Sequence, residues 1–294
     1  PMAGPHTQNG PRNTGVSAGR VWAWPVFLGG LAALILAILT GKLELLGTPS
    51  AIGQLTKGRD ALEQNKIDLA LSLAAQVADS DPKLAAPAAL LSARALLVQA
   101  MSQSENLALA TARDAEGKLA GIAEDQLDPA DQNLLKVARG RLSLITRTGF
   151  EAAINGLKAL PEDAACAAEA YEVLGLLSLR LDPPDYAGAL RANESLRALA
   201  TLTDERRATA QISAGEMNMK LGKGDEARKV LDKVGARAPR ELRLKARLLV
   251  AKSFHDDGRW ADAANAWHGV VQEDRKSTRL NSSHVSESRM PSSA

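Results

Sequence analysis

Apolar and polar positions alternate with helical spacing along most of the chain, and the pattern is clearest over Ala214–Pro239 (AGEMNMKLGKGDEARKVLDKVGARAP). That stretch predicts two short helices with a break at Gly222-Lys223-Gly224. The first ends in Met217, Met219 and Leu221. The second carries Ala227, Val230, Leu231 and Val234 at i, i+3, i+4 and i+7, one apolar stripe. Gly215 and Ala227 are small where the two backbones must approach, and Pro239 cannot continue a helix, so it closes the unit. A single hairpin of this kind cannot bury its own apolar face and needs copies on either side.

The copies are present. With Ala227 as the marker, equivalent alanines fall at Ala70, Ala153, Ala189 and Ala263. The last three steps are 36, 38 and 36 residues, and the first, of 83, leaves room for one more unit marked by Ala112. A small or turn-forming residue recurs five positions before the marker, at Asn65, Gly222 and Gly258. A large apolar residue recurs three before it, at Ile67, Phe150, Tyr186 and Trp260. Pro82 and Pro239 each lie twelve residues after their alanines. No alternating strand pattern interrupts the series.

From Ala51 to Glu273 the chain resembles the tetratricopeptide repeats. The resemblance rests on Gly58, Ala70 and Pro82 in unit one, on Gly215, Gly222, Ala227 and Pro239 in unit five, and on Phe254, Gly258, Trp260, Ala263 and Trp267 in unit six. The spacing is slightly longer than the usual period of about 34, and units three and four lack the closing proline. The resemblance implies an all-α solenoid of about six helix hairpins, with the first helix of each unit lining a concave groove for peptides or partner helices. By the same resemblance the groove positions are Ile212, Glu216, Met219 and Lys220 in unit five, and Leu248, Lys252, His255 and Asp256 in unit six. They mix polar and apolar types, as a peptide groove requires. The Lys/Asn pattern with which some relatives clamp a C-terminal carboxylate is not present across adjacent units here.

Ahead of the repeats, residues 1–20 are rich in Gly, Pro, Asn, Thr and Ser without an apolar period, which predicts a disordered polar tail. Because the chain does not open on Met, either Met2 is its start or it begins inside a longer frame. Residues 21–41 (VWAWPVFLGGLAALILAILTG) hold no charge. At 1.5 Å per residue this span covers about 30 Å, the thickness of a bilayer's hydrocarbon core. Trp22 and Trp24 stand at one end and Lys42 at the other, as interfacial anchors do. A cleaved signal peptide would have a shorter apolar region and a small-residue cleavage site, which 43–50 does not offer; a buried soluble helix would rarely be so uniformly apolar. The expectation is one transmembrane helix, a linker over 42–50, and repeats on the extracytoplasmic side. The lysines and arginines of the two flanks nearly tie, so that orientation rests on the short basic N-terminus preceding a large domain.

Composition narrows the function. There are 36 basic and 34 acidic residues, which argues against a nucleic-acid footprint. Aromatic residues make up only 3%, which suits helix packing through small residues. The single cysteine, Cys166, excludes an internal disulfide and a cysteine-based zinc site, and reads as a small buried hydrophobe. The last segment, 274–294 (DRKSTRLNSSHVSESRMPSSA), back-translates into two blocks that resemble a standard sequencing-library adapter, in order and in frame. It is set aside as non-native. It carries Arg275, Lys276, Arg279 and Arg289 against Asp274 and Glu287, so without it the charges balance at 32 of each sign. The sixth unit stops before its closing turn, which predicts that the natural chain continues past Glu273.

No catalytic constellation is visible: no phosphate-loop motif, no H-E-x-x-H, no G-x-S-x-G. Gly222-Lys223-Gly224 lacks the preceding strand of a phosphate loop. His255 with Asp256 and Asp257 has the types of a metal site but reads more simply as a solvated helix end. His268 has no evident partner; Asp182 and Asp185, flanking two prolines, read as loop caps. Phe254, Trp260 and Trp267 read as inter-helix packing. The sequence therefore predicts a membrane-anchored, non-enzymatic scaffold for a protein or peptide partner in a bacterial envelope complex, serving assembly, translocation or chaperoning. It implies no cofactor, no metal and no small-molecule substrate. The alternatives are a docking arm of a larger enzyme whose catalytic domain lies outside this fragment, and a secreted repeat module.

Overall fold

The computed structural model describes residues 50–272, and every regular element among them is helical. In chain order the helices are α1 Ala51–Glu63, α2 Ile67–Ser80, α3 Ala85–Met101, α4 Glu105–Ala120, α5 Pro129–Thr146 and α6 Phe150–Lys158. They continue as α7 Ala167–Arg180, α8 Tyr186–Ala198, α9 Asp204–Lys220, α10 Gly224–Leu231, α11 Arg240–Asp256 and α12, residues 260–272. Short 3₁₀ turns, Pro82–Leu84 and Glu124–Gln126, precede α3 and α5. The polar tail, the apolar span at 21–41 and the segment 274–294 lie outside the described residues.

The twelve helices pair into the six expected hairpins. In units one to five each second helix packs on its own first helix and on the first helix of the next unit; first helices also stack directly, α1 on α3, α3 on α5, α5 on α7 and α9 on α11. The result is an inner layer of first helices (α1, α3, α5, α7, α9, α11) with second helices wedged outside, the arrangement of a helical-repeat solenoid.

The turns explain the recurring small residue. Asn65, Gly222 and Gly258 all have left-handed φ, at 58°, 71° and 73°. In each case the next amide reaches back five residues: Lys66 N–H to Ala61 O, Lys223 N–H to Asn218 O and Arg259 N–H to Phe254 O, all at 2.8 Å. This is a Schellman closure, which needs a residue that tolerates positive φ. Unit three uses Arg147 and Gly149 instead, at 59° and 67°. The breaks between helices are capped by the acidic residues at them: Asp128 accepts from Asp131 N–H and Asp185 from Gly188 N–H, both at 2.7 Å. Pro82 opens a 3₁₀ turn and Pro239 is the N-cap of α11.

The marker alanines occupy one structural position. Ala70, Ala153, Ala189, Ala227 and Ala263 are each the fourth residue of a second helix, and all are buried. In α4, however, the fourth residue is Ala108; Ala112, the marker expected from the sequence, lies one turn on, also buried. Unit two is longer than the others, since α4 has 16 residues and a 3₁₀ turn follows it, so averaging over the 83-residue step misplaced its register by a turn. Close approach is real at Gly58 and Gly215, where an added Cβ would stand 2.6 Å from Leu91 Cδ2 and from Leu231 Cδ2.

Among the described residues one stretch, Pro82–Met101, is apolar enough by length and composition to cross a membrane. Half of it is buried within the solenoid, where it packs against α2, α4 and α5 as a core helix.

Candidate binding groove

The inner layer encloses a groove of about 1050 Å³ lined from units one to five. Three arginines enter it from successive first helices: Arg59 on α1, Arg94 on α3 and Arg141 on α5. Arg206 on α9 stands at the far end, hydrogen-bonded to Glu172 of α7. Leu62, Val98 and Leu134 supply apolar wall between the charges.

Two of these arginines, Arg59 and Arg94, bridge units that are not neighbours. Arg59 of unit one donates to both carboxylate oxygens of Asp131 in unit three, at 2.8 and 2.7 Å. Arg94 of unit two donates to Glu169 Oε2 of unit four at 2.9 Å, and Arg141 of unit three stands 3.0 Å from Glu169 Oε1. Long guanidinium side chains on the inner face therefore reach across one whole repeat. Asp131 is almost fully buried; desolvation pushes its carboxyl up, with Arg59 pulling the other way. Cys166 also lines the groove, and burial pushes its thiol up, with Glu169 adding in the same sense. Such a thiol is a poor nucleophile.

The groove positions expected in units five and six are not brought together into this groove. Ile212 is only 2% exposed and packs with Leu231 and Ala246 in the core between α9, α10 and α11, so it is unavailable to a ligand. The resemblance implied the inner face, but its side chain is buried between its own hairpin partner α10 and α11 of the next unit. Glu216 is half-buried and pairs with Lys245 of α11 at 3.1 Å, tying units five and six together. Met219 is half-buried; Lys220, Leu248, Lys252, His255 and Asp256 are exposed. His255 stands edge-on to Trp260 at 4.7 Å and tilted against Trp267 at 5.7 Å.

The aromatic residues of unit six meet side chains of other helices, but Trp260, edge-on to His255 of α11, is still 63% exposed. Phe254 is flanked by the guanidinium groups of Arg228 at 4.4 Å and Arg259 at 4.6 Å. Arg228 is the buried staple here: it donates to Ser253 Oγ and to Asp225 at 2.6 Å each, and pairs with Asp257 at 2.7 Å. Asp257 is thus engaged by Arg228, and among the described residues no three His, Cys, Asp or Glu side chains gather to hold a metal ion.

The arginines of the groove were not singled out in the sequence. One signal was present: Arg94 is the sole charged residue of α3 (AAPAALLSARALLVQAM), and a lone charge on an apolar helix calls for a partner.

No protein family and no curated protein matches this chain. Among solved structures, a crystal structure from Podosopora anserina, described as of the kinesin light chain type with nearly identical TPR-like repeats, aligns with it over 80% of this chain and 99% of that one. The identity is 16% and the TM-score 0.42.

Proposed function

We propose that this chain is a membrane-anchored scaffold of tetratricopeptide type that holds a protein partner in the groove of its first helices. The observation that carries the reading is the groove itself, one continuous concavity lined from five consecutive units. A concave inner face is how a solenoid offers a long segment many shallow contacts at once. The anchor rests on the uncharged run at 21–41 with its flanking Trp22, Trp24 and Lys42. The role in this reading is non-enzymatic, at a bacterial envelope, with the repeats on the extracytoplasmic side.

The test uses the full chain in its own membranes. Carbonate extraction leaves the protein in the pellet, and chemical crosslinking followed by capture recovers a discrete protein partner. A chain that washes off is a secreted module; a chain that stays but captures no partner is not a scaffold.

A further inference from the structure

Units four and five are joined differently from the other units. Every other pair of neighbouring first helices among the described residues stacks directly, but α7 and α9 do not. Their units are held together by α8, which packs along both helices. On that outer side the joint is firm. Arg207, in the first turn of α9, donates to the carbonyl oxygens of Arg197, Leu199 and Leu202, and so holds the end of α8 and its loop to α9.

The inner side is loosely filled. There α7 meets unit five through Ala168 and Tyr171, packed on a cluster with three buried members, Leu196, Leu202 and Ala210. The clusters that run through units one to four hold nine or ten buried residues each. Leu176 follows Gly175 on α7 as Glu216 follows Gly215 on α9. Glu216 is engaged by Lys245 of the next first helix, whereas Leu176 is left 47% exposed.

The bodies on either side of this joint are each tied within themselves. Arg59 to Asp131, and Arg94 and Arg141 to Glu169, bind units one to four. Arg228 to Ser253 and Asp257, and Lys245 to Glu216, bind unit five to unit six. The joint itself is crossed by the ion pair of Arg206 with Glu172, at 2.7 Å, whose side chains are 45% and 36% exposed. An ion pair so open to water stabilises little and is weakened by salt. Units of a solenoid touch only their neighbours, so one weak interface lets the arrays on either side turn against each other.

We propose that units five and six swing as one body about the α8–α9 joint, pivoting on the outer side at Arg207, and that the Arg206–Glu172 pair is the latch of this hinge. Arg206 and Thr201 line the far end of the groove, so the swing changes the groove's width there. The device belongs to the free chain and does not depend on what the groove holds.

The test is a pair of distance measurements by double electron–electron resonance on the full chain in nanodiscs, with Cys166→Ala removing the native thiol. Spin labels enter at exposed positions of the second helices. Glu151→Cys with Lys229→Cys spans the joint, and Asp68→Cys with Glu151→Cys stays within units one to three. The pair across the joint shows a major and a minor distance, and the pair within the units shows one. Arg206→Gln raises the minor population relative to the major about two- to fivefold, the scale of one exposed ion pair. High salt does the same to wild type and adds nothing to Arg206→Gln. Should Arg206→Gln fail to fold, Glu172→Gln removes the same pair. A single narrow distance across the joint would overturn the hinge. Equal breadth in both pairs would make the solenoid uniformly elastic and overturn it too. A minor population indifferent to both the substitution and salt would overturn the latch.

Discussion

At the residue scale the fold depends on a few side chains placed where a larger or uncharged one would not serve. Gly215 faces Leu231 so closely that any Cβ must meet its whole isopropyl group, and Leu231 is itself buried. Replacing Gly215 with Ala therefore overpacks the α9–α10 contact and lowers stability by about 1–3 kcal/mol in urea unfolding. Arg228 draws its partners from two helices and a loop. Arg228→Ala leaves Ser253 without its donor and costs about 2 kcal/mol, read as an earlier thermal midpoint with faster amide exchange in α11. Asp131 gives a pH signature. Its folded pKa lies above the ordinary 3.8, so the folded state binds its proton more tightly than the unfolded one. Its contribution to stability therefore rises as pH falls from the raised value toward 3.8, and is full below that. Urea titrations across acid pH will show wild type gaining on Asp131→Asn as pH drops; a gap that is flat or opens the other way contradicts the assignment.

At the scale of the element, the hairpin was readable because its constraints are local. Asn65, Gly222 and Gly258 mark the turn since only residues tolerant of positive φ close it, and the fourth-position alanines mark the crossing, where all are buried. Unit two shows where this reasoning stops. Ala108 and Ala112 are both buried, one turn apart on the same helix face, so the sequence holds no signal to choose between them. The choice is made by where α4 begins, and that depends on the turn after α3. Trp260 shows a second limit: its spacing matched a packing position and its ring does meet His255 of α11, yet it stays 63% exposed, and spacing alone does not say how far a side chain is covered.

At the scale of the molecule, a solenoid gains stability mainly from neighbouring repeats. The arginines of the inner face add a longer tie: Arg59 to Asp131 and Arg94 to Glu169 each skip a repeat, joining residues 72 and 75 apart in sequence. This coupling was invisible in the sequence, because the partners meet only once the first helices are stacked and curved. It is also what makes the groove one site rather than a row of separate surfaces. The positions that the resemblance implied in units five and six do not line this concavity.

The most direct measurement is a photo-crosslinking amino acid placed in the full, membrane-resident chain, once at Asn133 within the groove and once at Glu116, exposed on the outer helix α4. Partner adducts should form from Asn133 and not from Glu116. Adducts from Glu116 alone, or equally from both, would contradict the groove as the site where this scaffold holds its partner.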